Sequence, residues 1–248
     1  NSMMGGNMNM GGQPVPVTEG SFTRLLPIPN TVTGTTSLIA QATNTNINGN
    51  GFSVLGYQSG GILGPTIRVN TGTNANINIQ NNLSEKSNIH WHGLKIPDDM
   101  DGHPEAIVNS GSSVNYQFVI NQRAGLNWYH PHPDGATARQ AFQGLAGLFI
   151  VNDTEEAALN LPSGIYEVPL VIQDKRLTSS GIAYNPTSME VMTGYMGETI
   201  LVNGEASPFT EIATRFYRLR ILNGSNARIY NLGLSNNADL IIIGNDGG

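Results

Sequence analysis

"TNANINIQN", residues 73–81, alternates apolar and polar side chains without a break. Ala75, Ile77 and Ile79 fall on one side, Asn76, Asn78 and Gln80 on the other. A period of two marks a half-buried strand. "VNYQFVI", residues 114–120, repeats the pattern with Val114, Tyr116, Phe118 and Ile120. From about Ser21 such segments recur between Gly, Pro and Asn, which predicts an all-β chain of antiparallel sandwiches. "GLAGLFIVND", residues 144–153, is an apolar run of strand length, the mark of a central strand.

The totals set bounds. A chain of 248 residues is long enough for one large or two ordinary domains. Charged residues make up 12% and the net charge is −6, which argues against nucleic acid, a partner that calls for a basic face. No run of 18 apolar residues exists, so no membrane span is expected. No leader-like segment opens the chain, whose first residues read as a mature or trimmed start. Cysteine is absent, which removes disulfides and every thiolate metal site.

Composition divides the chain. "NSMMGGNMNMGGQPVP" is low-complexity and reads as a flexible tail over residues 1–20; Met3, Met4, Met8 and Met10 are either thioethers that could capture Cu(I) or simply part of a Met-rich disordered segment. The first sandwich domain is expected over 21–153. A linker follows over 154–164, with a helical turn at 155–159. The second domain, 165–248, holds "EVPLVIQDKRL", "ETILVNG", "RFYRLRILNG", "IYNLGLS" and "LIIIGNDGG". In it, Tyr217, Leu219 and Ile221 are expected to face inward, Arg218 and Arg220 outward. About five strands are legible where a sandwich usually has roughly seven, so this domain reads as incomplete. Met189, Met192 and Met196 share one face of a short helix and are expected to pack in the core.

Four of the five histidines fall in two alternating pairs, "NIHWHGLK" (residues 88–95) and "NWYHPHPDG" (127–135). On a strand, residues i and i+2 share a face, roughly 6.5–7 Å apart. His90 and His92 therefore point one way and Trp91 the other, into the core. His130 and His132 flank Pro131, which suits an edge or a strand end. One such pair is commonly a surface or packing feature; two on neighbouring strands bring four imidazoles into a volume that a metal would organise. Lone zinc needs fewer imidazoles, and imidazole-only sets suit copper. A cupin would place Glu near Lys95 and Ile96. A His-x-His-x-Asp-His hydrolase would place Asp and His at Leu94 and Lys95.

"HWHG", "WYHPH" and "GLAGLFIV", continued by "IQDKR", "LVNG", "RLRILNGSNAR" and "GNDGG", resemble the multicopper oxidases. The likeness is closest to the bacterial CueO-like cuprous oxidases, which also have laccase activity. It implies cupredoxin-like Greek-key β-sandwich domains and an exported, periplasmic or secreted, oxidoreductase. In that family three cupredoxin domains pass electrons from a type 1 copper to a trinuclear cluster, where dioxygen becomes water. By position, His90 would bind the type 2 copper, His92 and His130 would share one type 3 copper, and His132 would bind the other. Asp101 matches an acidic residue that helps deliver protons. The family's remaining four cluster histidines and its type 1 cysteine have no counterpart here, since no histidine follows His132. The resemblance thus implies an N-terminal portion whose partner is the C-terminal remainder with the third cupredoxin domain. Cu(I) or a phenolic compound would be the substrate. The alternative is a non-catalytic copper-binding or interaction protein of the same fold.

Overall fold

The computed structural model describes residues 12–15, 17, 20–58 and 61–246. The chain forms β1 (Thr31–Val32), β2 (Thr35–Ile47), β3 (Asn50–Gly56), β4 (Thr66–Asn70), β5 (Asn74–Asn81) and β6 (His90–His92). It continues through β7 (Ser113–Val119), β8 (Gly125–His130), α1 (Thr137–Phe142), β9 (Gly147–Asn152) and α2 (Thr154–Ala158). The last elements are β10 (Glu167–Lys175), β11 (Leu177–Thr178), β12 (Gly181–Ile182), α3 (Ser188–Thr193), β13 (Thr199–Val202), β14 (Glu205–Ala206) and β15 (Arg218–Asn223).

The first sandwich stacks the sheet β1-β4-β9-β8-β6 against β3-β2-β5-β7. Ala75, Ile77 and Ile79 of β5 and Tyr116 and Phe118 of β7 meet Ile67, Trp91, Tyr129 and Phe149 in one core. The expected strand sense needs correction. β1–β4, β4–β9 and β2–β5 pair parallel, so the sandwich is mixed rather than antiparallel. Alternation is identical in either sense; direction follows from the crossovers that join the strands.

Strand β9 explains its unbroken apolar sequence. Phe149 and Val151 face the sandwich core, while Leu148 joins Leu63, Ala146 and Val171 in a cluster on the other side. Both faces are covered, so neither can be polar.

The second part holds the sheet β14-β13-β10-β15 and the hairpin β11-β12. Phe52 and Val54 of β3, Phe142 of α1, Leu177, Ile182, Tyr195 and Leu201 form a shared cluster that joins it to the first sandwich. Val15 and Val17 pack against this cluster, and the Val15 amide donates to the Leu177 carbonyl at 3.0 Å. That stretch of the expected tail is therefore anchored, because its valines find an apolar seat. Met3, Met4, Met8 and Met10 lie outside the described residues.

Three further expectations fail here. On β15 the sides are reversed: Arg220 is 6% exposed and Leu219 40%. Arg220 turns inward because two carboxylates wait there. Its Nη2 lies 2.9 Å from Glu156 Oε1 and its Nε pairs with Glu167, while Arg218 and Arg68 complete the network. "IYNLGLS" and the described part of "LIIIGNDGG" form no strand, and Ile229, Ile241 and Ile242 stand exposed. Apolar β-formers need a ladder partner, and no described strand pairs with them. The methionines are also outside the core: Met189, Met192 and Met196 are all exposed. Helix α3 spans only six residues, buries none of them, and is held by a capping box between Thr187 and Glu190.

The quoted motifs of this part are scaffolding. Asp174 accepts from the Gly197 amide (2.7 Å) and from Arg228 Nε (3.1 Å), while its own amide donates to Ser225 Oγ. Asn203 accepts from the Val171 amide and donates to the carbonyls of Pro27 and Pro169. Lys175 is fully buried and donates to the Phe142 carbonyl at 2.6 Å; burial lowers its ammonium to about 7. "IQDKR", "LVNG" and "GSNAR" thus close one hydrogen-bonded block.

Candidate metal centre

β6 and β8 run antiparallel with His90 opposite His130 and His92 opposite Trp128. This register places His90, His92 and His130 on one sheet face, with His132 just past the strand end. On the other face Trp91 is fully buried, its ring 5.4–5.9 Å from those of Tyr116, Phe118, Tyr129 and Phe149. An aromatic core anchor between two histidines fixes the direction in which both point.

The four imidazoles converge. The His90 ring centroid lies 5.7 Å from His92, 5.4 Å from His130 and 5.4 Å from His132. One ligand nitrogen from each of His90, His92 and His130 can be chosen so that all lie within 4.8 Å of one another, a group able to hold a metal ion. His130 Nδ1 sits 2.9 Å from the Pro131 carbonyl and His90 Nδ1 2.8 Å from that of Asp101. A carbonyl can only accept, so both Nδ1 atoms carry the proton and both Nε2 lone pairs face the cluster. His92 Nδ1 and His130 Nε2 stand 3.3 Å apart. Two imidazole nitrogens each about 2.0 Å from one tetrahedral ion would be ~3.3 Å apart. His132 Nδ1 is buried without a hydrogen-bond partner, a nitrogen that a cation would satisfy. The donor set fits copper, for which neutral imidazole is a suitable ligand.

Electrostatics favours the same state. Burial pushes the His130 imidazolium down to about 4, and the neighbouring histidines add to it against the Pro131 carbonyl. His92 is lowered by burial and then by His90. Both rings are therefore neutral near pH 7, with lone pairs available. Asp101 moves the other way: burial raises its carboxyl, opposed by His90. Its Oδ1 stands 3.2 Å from His90 Nδ1 but is not the atom that nitrogen bonds; the backbone carbonyl is closer.

Two residues inside the quoted motifs escaped the sequence reading. Trp128 lies against His130 at 4.2 Å and 36° and against His92 at 5.1 Å and 32°, packing both rings. Asn88 bonds to segments 14 and 44 residues away. The strand period puts Trp128 on the face of His130, but its contact with His92 depends on the β6–β8 register and the Asn88 bonds on the loop path, which no periodicity signals.

Comparison with known proteins agrees with this geometry. The family model for multicopper oxidases matches residues 39–156. The multicopper oxidase mco of Staphylococcus epidermidis is 41% identical over 215 residues, covering 86% of this chain and 47% of that protein. The cell division protein FtsP of Sodalis glossinidius is 39% identical over 193 residues, covering 77% of this chain and 40% of that protein. Among solved structures, CueO from Ochrobactrum sp., a bacterial laccase-like multi-copper oxidase, superposes with a TM-score of 0.78 at 36% identity, covering 82% of this chain and 47% of that one. The chain spans less than half the length of these relatives. Identity at this level over most of the chain, on a matching sandwich that carries a histidine group fit for copper, places the chain in the copper-binding multicopper oxidase family.

Proposed function

We propose that the chain is the N-terminal portion of a laccase- or cuprous-oxidase-type enzyme and contributes half of a trinuclear copper cluster. The observation that carries this reading is the convergence of four imidazoles, three with ligand nitrogens within 4.8 Å. In this reading His90 binds the type 2 copper, His92 and His130 share one type 3 copper, and His132 binds the other. Bound copper would supply the redox capacity for four-electron reduction of dioxygen to water.

The chain's own residues orient and protonate. The carbonyls of Asp101 and Pro131 hold His90 and His130 in the tautomer that leaves Nε2 free. Asp101, its carboxyl raised by burial against the pull of His90, places a carboxyl group able to relay protons beside that ring. The other four histidines and the type 1 copper belong to the C-terminal remainder, the third cupredoxin domain. Exposed Ile229, Ile241 and Ile242 support a surface covered by further polypeptide. Electrons come from Cu(I) or a phenolic compound, and the enzyme works in the periplasm or outside the cell. No described helix is long and apolar enough to cross a membrane.

The test is a Cu(II) titration of the metal-free chain, read by calorimetry and electron paramagnetic resonance. His130→Ala is expected to weaken binding at least tenfold, and the four-alanine variant to abolish it. Unchanged binding in the four-alanine variant overturns the reading and favours a non-catalytic interaction protein of the same fold. In the oxidase reconstituted with its remainder, Asp101→Asn is expected to lower turnover about 10²-fold at unchanged copper content.

A further inference from the structure

We infer that Asn88 is a positioning residue that ties the Asp101 loop to the His132 end of the copper-binding face. The inference rests on the copper reading above for its functional meaning, but on the geometry alone for the clamp itself.

Asn88 directly precedes Ile89 and His90 and is 1% exposed. Its Oδ1 accepts from the His132 amide at 2.6 Å. Its Nδ2 donates to the Gly102 carbonyl at 3.1 Å and the His103 carbonyl at 3.0 Å. One side chain therefore joins three segments: the entry to β6, the exit from β8, and the loop that carries Asp101. A carboxamide can do this because it has an acceptor and two donors on one plane.

The loop has no slack. Gly102 has a φ of +63°, and a Cβ there would lie 1.7 Å from the Ile89 carbonyl oxygen. Asp101 is thus pressed against the strand that presents His90, and its carbonyl meets His90 Nδ1 at 2.8 Å. Without Asn88, the Gly102 and His103 carbonyls lose their shared donor and the His132 amide loses its acceptor. Loop and ligand would then be placed independently.

Two variants separate the arms. Asn88→Asp keeps an acceptor for the His132 amide but sets a carboxylate against two carbonyls; Asn88→Ala removes both arms. Hydrogen exchange by mass spectrometry on the metal-free chain reads the clamp without copper. Asn88→Asp is expected to speed exchange at least tenfold over residues 98–105 while residues 130–136 keep native protection. Asn88→Ala is expected to release both, and to weaken Cu(II) binding about tenfold with an altered resonance spectrum. Combined with Asp101→Asn in the reconstituted oxidase, Asn88→Asp is expected to add little further loss, since both act on one carboxyl. Wild-type exchange over 98–105 in Asn88→Asp overturns the clamp, as do fully additive losses. If the wild-type chain takes no copper but the exchange pattern holds, the functional reading fails and the clamp stands.

Discussion

The two sheets that meet at β9 obey the same alternation but bury opposite chemistry. In β5 the inward side is Ala75, Ile77 and Ile79, sealed in an apolar core. In β15 the inward side is Arg220, held by Glu156 and Glu167, while Leu219 faces out. A period of two says that neighbours point apart. It does not say which side is covered, and a face that meets two carboxylates selects arginine.

The contrast can be broken hardest at Trp91. Trp91→Ala removes the ring that touches four other aromatics, and a loss of about 3–5 kcal/mol is expected from urea unfolding. A loss under 1 kcal/mol would mean that the first core does not hinge on this anchor.

Acid comes next. His130 binds its proton at pH 6.5 when unfolded but only near 4 when folded, so its contribution is intact above 6.5 and drains away as pH falls toward 4. In the metal-free chain that loss is on the order of 3 kcal/mol. It should vanish in His130→Gln, measured as stability against pH in both proteins.

The charged side should be more forgiving than the apolar one. Arg220→Leu leaves Glu156 with Arg218 and Glu167 with Arg68, so about 2 kcal/mol is expected rather than the full cost of an orphaned ion. The same denaturant curve reads it. Smallest of all, Leu219→Ser and Met192→Ser should each change stability by less than about 0.5 kcal/mol, since both side chains are exposed. A larger effect in either would reinstate the inward orientation read from sequence.

Those cases mark where the sequence was informative. Alternation in residues 73–81 and 114–120 declared the sandwich, because each of those strands has one wet and one dry face. Strand sense was hidden, because β2 and β5 pair parallel only through a crossover that local pattern does not record. The histidines were legible because i and i+2 must share a face. The Asn88 bonds and the contact of Trp128 with His92 sat in the same quoted motifs unread, since those partners are set by loop path and register. The methionines misled because helical spacing marks a common face, not a buried one.

Strand β9 also sets an order of events. It is the last strand of its sheet to be made, yet it lies between β4 and β8. Until residues 147–152 leave the ribosome, the sheet exists as two unjoined pieces, β1-β4 and β8-β6. The histidine-bearing β6–β8 pair, whose strands are separated by β7 of the other sheet, has no link to β4 within its own sheet until β9 is in place. The wall behind the four imidazoles is thus closed only by the last strand of its sheet to be synthesised.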